Sequence, residues 1–312
     1  MSHNINSMFY HGETPWHGLG TKVDKLLTSA EAIDAAGLNY TVEKAPIFLG
    51  DGTEIKDQYA TVRMDTKQPL GVVGSKYTVL QNKDAFSFFD AVVSVKEAMY
   101  ETAGALGIGE RIWLLAKLPG YIKTIGEDVT EKYLLLTNTH DGSGSVQVML
   151  TPIRVVCQNT LNVGISAGSH KSKIRHTFNM GMKVEEVRKT LGLINHQFTI
   201  FEEATQKLAM VQLTGDAVES YFKKSLGIVE QEDCSTRAQN ILEEVSQLFV
   251  GGKGAELPGA KGTAWGAFNA VVEYVDYRRG GDNQEKRTSS LLFGSGANIK
   301  QRAFDEALLI AK

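Results

Sequence analysis

Residues 131–166, EKYLLLTNTHDGSGSVQVMLTPIRVVCQNTLNVGIS, decide how the rest of the chain is read. Two apolar runs, Tyr133–Thr137 and Val146–Leu150, flank Asn138-Thr-His-Asp-Gly-Ser-Gly144. That connector is rich in residues that take tight or left-handed turns, so the stretch predicts a β-hairpin. Thr151-Pro152 then supplies a capping residue and a proline at a first helical position. The spacing beyond it predicts an amphipathic helix. Ile153, Val156, Cys157, Thr160, Leu161 and Gly164 share one face, and Arg154, Gln158 and Asn162 recur four apart on another. Two readings fit: a binding platform with a polar stripe, or an ordinary α+β core.

The chain has 312 residues, 42% of them hydrophobic, enough for one large domain or two smaller ones with a substantial core. The formal charge of −3 excludes a globally basic protein but not a local basic groove. Cys157 and Cys234 stand far apart, with neither a disulfide framework nor zinc spacing, which suits a reducing cytoplasm. The opening MSHNINSMFYHGETPWHG has no basic or apolar leader region, and no apolar run is long enough to span a membrane. A cytoplasmic protein is expected.

Residues 8–23, with aromatics, histidines and glycines, read as an irregular segment pinned by aromatic anchors. Thr28-Ser-Ala-Glu31 is a capping box opening a short helix closed by Gly37. Tyr40–Leu49, Asp51-Gly52 and Thr53–Met64 read as strand, turn, strand, and Leu70–Leu80 as a further strand. Asn82 caps a helix to about Val95. Met99–Leu106 and Glu110–Leu118 form an antiparallel pair turned at Gly107-Ile-Gly109, and Pro119 to Val129 reads as a loop. Alternation puts Arg111, Trp113, Leu115 and Lys117 on one face. Such a face can stack a base and neutralise phosphate, or be a solvated edge with a half-buried tryptophan.

After the expected helix, residues 168–176 carry Lys171, Lys173 and Arg175 without an acid. In an extended conformation these three project to one side and can follow a phosphate backbone; a solvated loop is the alternative. Val184, Val187, Leu191, Ile194, Phe198 and Phe201 then follow heptad spacing in a long helix, either an internal hairpin or an oligomer seam. Further helices are expected at 215–225, 234–250, 263–278 and 297–311, with a flexible glycine-rich loop at 251–262. Arg278, Arg279, Lys286, Arg287, Lys300 and Arg302 form a second candidate basic surface. The fold class is therefore α+β: an antiparallel sheet with a hairpin leading into a helix in residues 1–180, then a mostly helical region in 181–312.

No nucleophile, dinucleotide or zinc-protease motif is present, and 251–262 lacks P-loop spacing. His140-Asp141 fits turn chemistry as well as acid–base chemistry. His3, His11 and His17 fit no common zinc spacing, and Glu273 with Asp276 reads as a solvated helix face before a metal pair. No catalytic residue, cofactor or metal is expected.

FYHGETPWHGLGT near the N-terminus, LLTNTHDGSGSVQVMLTPIRVVCQNTLN in the centre, and GTAWGAFNAVVEYVDYRR with LLFGSGANIKQRA near the C-terminus resemble the phage/plasmid-like proteins that carry domain of unknown function 932. The resemblance covers nearly the whole chain. It implies residence on bacterial mobile elements, and no biochemical activity. The order strand, hairpin, helix, basic segment is also similar, at the level of fold, to single-strand annealing proteins. That likeness implies a sheet whose basic groove holds DNA, and it transfers no binding residues.

Chemistry alone nominates Arg111, Trp113, Lys117, Arg154, Lys171, Lys173 and Arg175 as nucleic-acid contacts. The expectation is a homo-oligomeric, non-enzymatic protein that binds single-stranded DNA and anneals it. A protein-interaction module assembling through the heptad helix is the alternative, and a metal-dependent hydrolase using His11, His17 or His140 with acids is a minor third.

Overall fold

The computed structural model describes residues 5–12, 20–93, 99–154, 159–160, 171–174, 183–228, 235–279, 290 and 294–312. Antiparallel strands dominate the N-terminal region and helices the C-terminal one, as the α+β reading expects. The chain forms two compact units, each assembled from separated segments. One comprises Met1–Pro119, Leu134–Met149 and Lys171–Leu193; the other comprises Gly120–Tyr133, Leu150–His170 and Ile194–Lys312.

In the first unit, β1 (Ile5–His11) pairs antiparallel with a later strand, and β2 (Thr21–Val23) lies parallel beside it. Met8–His11 is thus extended, not irregular. Met8, Phe9 and Tyr10 are all buried, so this strand shows no alternation to read. Residues 13–19, with His17, lie outside the described residues, as does His3. Helix α1 (Ser29–Ala35) opens as its capping box requires: the Thr28 amide donates to the Glu31 carboxylate at 3.0 Å. Gly37 follows with φ of 65°, a left-handed position suited to glycine. Strands β3 (Val42–Phe48), β4 (Glu54–Arg63) and β5 (Gln68–Gly74) make a three-stranded antiparallel sheet. The strand expected to reach Leu80 ends at Gly74. Beyond it, Tyr77 leaves the ladder and its hydroxyl donates to the Thr139 carbonyl at 2.8 Å.

Helix α2 (Asn82–Val93) leads to β6 (Met99–Leu106), β7 (Arg111–Lys123), β8 (Val129–Thr139) and β9 (Val146–Leu150). Beyond β9 come β10 (Ile153–Arg154), β11 (Asn159–Thr160) and β12 (Lys171–Ile174). The sheet of the first unit runs β2-β1-β6-β7-β8-β9-β12. The hairpin of β8 and β9 is the one expected from the central stretch. Arg63 ties the smaller sheet into this unit. Its guanidinium donates to Asn6 Oδ1 at 2.8 Å, the Ile108 carbonyl at 2.9 Å and the Asp65 carboxylate, which it holds below the usual carboxylate range. It also lies 3.9 Å above the Tyr40 ring, whose hydroxyl donates to the Gly109 carbonyl. Burial pushes the Tyr40 phenol up to about 12.

The second unit is built on the far half of the β7–β8 hairpin. Residues 119–129, expected as a loop, are strand to Lys123 and then a tight turn. There Gly126 takes φ of 63°, and the Thr124 amide donates to the Asp128 carbonyl at 3.1 Å. Pro119, Gly120 and Gly126 give the segment the composition of a loop, but the hairpin ladder sets its conformation. A second correction falls on the helix expected from Ile153. Residues 153–154 and 159–160 are strands: β10 pairs with β8 and with β11, Arg154 standing opposite Thr130 and Asn159. The Thr151 amide donates to the Tyr133 carbonyl at 2.9 Å, so the backbone joins the ladder before a cap can form. The β-branched Ile153, Val155 and Val156 favour that outcome. Residues 155–158 and 161–170 lie outside the described residues.

Helices α3 (Lys183–Met210), α4 (Asp216–Leu226), α5 (Thr236–Gly251), α6 (Ala264–Glu273) and α7 (Ser295–Ile310) follow. Along α3, Phe198, Phe201, Thr205 and Leu208 are buried, as their heptad spacing requires. Phe304 of α7 stacks on Phe201 and packs against Phe268, which meets Trp265. The Trp265 indole N–H donates to Asp128 Oδ2 at 2.8 Å, and both residues are fully buried. Glu202 and Gln206 bind the amide and carbonyl of Lys123, each at 3.0 Å. Ile122, Thr124 and Asp128, at the end of the hairpin, are therefore part of this unit's core, while Gly126 and Glu127 stay exposed.

In the glycine-rich segment 251–262, Gly254, Gly259 and Ala260 are buried, and Lys253, Glu256, Pro258 and Lys261 are exposed. The Lys253 amide donates to Glu273 at 3.1 Å, and a side chain at Gly252 would strike the Leu248 carbonyl. Thr263 caps α6 through its hydroxyl, which accepts from the Gly266 amide. The helix then loosens into one π-helical turn, Tyr274–Arg278. Glu273 and Asp276, expected to be solvated, are buried. Asp276 pairs with Lys300 at 2.9 Å, and that lysine, read as surface, is fully buried too. Helical periodicity identifies the face a residue occupies but not what covers it. Arg302 donates to the Ser225 carbonyl and Arg279 to the Ser295 hydroxyl. Lys286 and Arg287 lie outside the described residues.

The two buried polar pairs of this unit can be tested by their stability. Trp265→Phe removes a hydrogen bond from a buried carboxylate and is expected to lower unfolding free energy by about 1–3 kcal/mol, measured by denaturant titration. Asp128→Asn, which keeps an acceptor, should cost less. For the second pair, Lys300→Met or Asp276→Leu alone should each cost about 3–5 kcal/mol. The double variant should recover much of that loss. Additive losses would show that the two charges do not compensate each other.

Candidate nucleic-acid interface

The seven residues nominated from sequence fall into three groups. Arg111, Trp113 and Lys117 lie on β7 within the first unit, where burial along Arg111–Lys117 follows the expected alternation only in part. Arg111, Leu115 and Lys117 are half-buried, while Ile112, Leu114 and Ala116 on the other face are fully covered. Trp113 departs from the expectation. It is 4% exposed, and its indole lies over Gly104, its cross-strand partner on β6. A side chain at position 104 would collide with that ring, so glycine is required there. Trp113 is a core residue with no face open for a base.

Lys171 and Lys173 form the second group, on β12. This segment is extended, as expected, so the two positions share one face of the strand. The register with β9 sets that face: Lys173 stands opposite Gln147 and Lys171 opposite Met149. On that face Gln147 is half-buried and Met149 is buried, at 1% exposure; Val146 and Val148, at 1% and 3%, belong to the other face. Gln147 was not legible as a site candidate, because its partner strand lies more than twenty residues away. Arg175 lies outside the described residues.

Arg154 makes the third group, in the second unit. Its position on β10 is in register with Thr130 of β8, which is fully buried. The helical stripe of Arg154, Gln158 and Asn162 is not formed at Arg154, since that residue is in a strand.

The histidine–aspartate pair on the hairpin turn is held by local contacts. His140 is fully buried and its Nε2 lies 2.9 Å from Asn82 Oδ1, while the Asn82 amide donates to the Leu38 carbonyl. Tyr40 meets the imidazole edge-on. Asp141 accepts from the Ser143 amide and hydroxyl, which closes the turn. His11 Nδ1 lies 3.2 Å from the Val23 carbonyl. Among the described residues, no group of three or more His, Cys, Asp or Glu side chains is placed to hold a metal ion, and no helix is long and apolar enough to cross a membrane.

Residues 69–292 match the family model for a domain of unknown function (DUF932), and the chain belongs to that family. The matched region runs from β5 through the π-helical turn. No curated protein and no solved structure matches the chain.

The burial of Trp113 separates its role from binding. Trp113→Phe is expected to lower unfolding stability by about 1–3 kcal/mol, as core substitutions do. The affinity of the folded variant for a single-stranded oligonucleotide, read by fluorescence anisotropy, should match that of the wild type.

Proposed function

We propose that this protein binds single-stranded DNA, holds it extended for annealing, and acts as a homo-oligomer encoded by a phage or plasmid in the bacterial cytoplasm. The observation that carries the reading is the extended β12. It fixes Lys171 and Lys173 at same-face positions about 6.6 Å apart along an antiparallel sheet. Two cations at such spacing suit successive phosphates of a stretched strand, and Arg111 and Lys117 add half-buried cations on β7 of the same unit. The similarity of the strand and hairpin order to single-strand annealing proteins supports the same reading. So does the heptad repeat through Val184, Val187, Leu191 and Ile194 as an assembly seam. Annealing of this kind requires no cofactor: strands are held with phosphates neutralised and base edges exposed.

The test is a salt titration of binding to an oligothymidylate. Wild-type affinity should fall steeply with salt. Lys171→Ala with Lys173→Ala should weaken binding and reduce the slope of log affinity against log salt by about 1.4, at roughly 0.7 for each phosphate no longer neutralised. No binding by the wild type at low salt, or a double variant with unchanged slope, would sink the proposal.

A further inference from the structure

The exposed aromatic that the sequence pattern sought at Trp113 occurs further along the same strand. The last residues of β7 alternate sharply: Tyr121 is 54% exposed, Ile122 is fully buried and Lys123 is exposed. Tyr121 and Lys123 therefore share an outward face, with Ile122 anchored on the other.

A lone exposed aromatic is ordinary on a protein surface. Three features distinguish this one. The strand beneath it is rigidly held, because Glu202 and Gln206 bind both backbone groups of Lys123 and Ile122 is packed beneath. A second cation lies nearby: the Lys132 ammonium comes within 3.7 Å of the point that a Cβ on Gly120 would occupy. The nearby acid, Glu202, is engaged with the Lys123 amide.

Resting on the single-strand reading above, we propose that Tyr121 is the residue on which a base stacks, with Lys123 and Lys132 neutralising the adjoining phosphates. An aromatic presented on a fixed strand loses little freedom on binding, and stacking tolerates every base because each has a π-face. All these residues belong to one unit and lie outside the set nominated from sequence.

The experiment uses the full chain and an oligothymidylate. Tyr121→Ala should weaken binding by about tenfold, while Tyr121→Phe, which keeps the ring, should stay near wild type. In Tyr121→Trp, the emission gained over wild type should be quenched by the oligothymidylate and not by inorganic polyphosphate. Wild type that binds, together with an unaffected Tyr121→Ala and an unquenched Tyr121→Trp, overturns this assignment and leaves the single-strand reading standing. Absence of wild-type binding overturns the single-strand reading itself, and this assignment with it.

Discussion

The hydrogen bond from the Trp265 indole to the Asp128 carboxylate is the contact on which the helical unit depends most directly. Both side chains are excluded from water, so the buried carboxylate needs hydrogen-bond partners within the protein, and the indole supplies one. The bond fixes the tip of the β7–β8 hairpin against α6. Around it, Glu202 and Gln206 of α3 bind the backbone of Lys123, and Ile125 packs against Gly259. A hairpin tip is ordinarily a solvated turn. Here Gly126 and Glu127 still face water, but Thr124 and Asp128 are covered, and the backbone groups of Lys123 find side-chain partners on a helix.

Polar groups specify other parts of the structure in the same way. Arg63 makes no surface ion pair of the usual weak kind. It is buried, stacked on Tyr40 and shared between Asn6, Ile108 and Asp65, so the three-stranded sheet has one permitted position in its unit. Asn82 does similar work for the central hairpin, binding the Leu38 carbonyl with one end and His140 with the other. Lys300 and Asp276 carry opposite charges into the helical core at the π-helical turn, and their mutual satisfaction holds α7 against that turn. These groups hold the fold together, and the binding proposed above uses strand positions instead.

Those positions belong to two different strands. β12 carries lysines at same-face positions in the first unit, and the end of β7 carries a tyrosine and a lysine in the second. A strand suits a backbone-tracking site because its two-residue period sets charges at a regular interval, which a flexible loop does not. A base-stacking site gains from the same rigidity. Membership of the DUF932 family covers both regions, since the match runs from residue 69 to residue 292.

The sequence by itself determined the elements whose signals are local. The capping box at Thr28, the turn residues from Asn138 to Gly144, and the heptad positions Phe198 and Phe201 each act through neighbours a few residues away. The extended run through Lys171 and Lys173 was legible for the same reason. Tertiary structure decided the rest. Alternation put Trp113 on a polar face, but only the pairing of β7 with Gly104 shows that the ring is covered. Thr151-Pro152 carries a helix-start signal, yet the Tyr133 carbonyl draws the Thr151 amide into the sheet. Pro119 and Gly120 have loop composition, yet the hairpin ladder keeps the strand running to Tyr121 and Lys123. Periodicity reports which residues share a face. Whether that face meets water or another element depends on partners far along the chain, and only the folded structure brings those together.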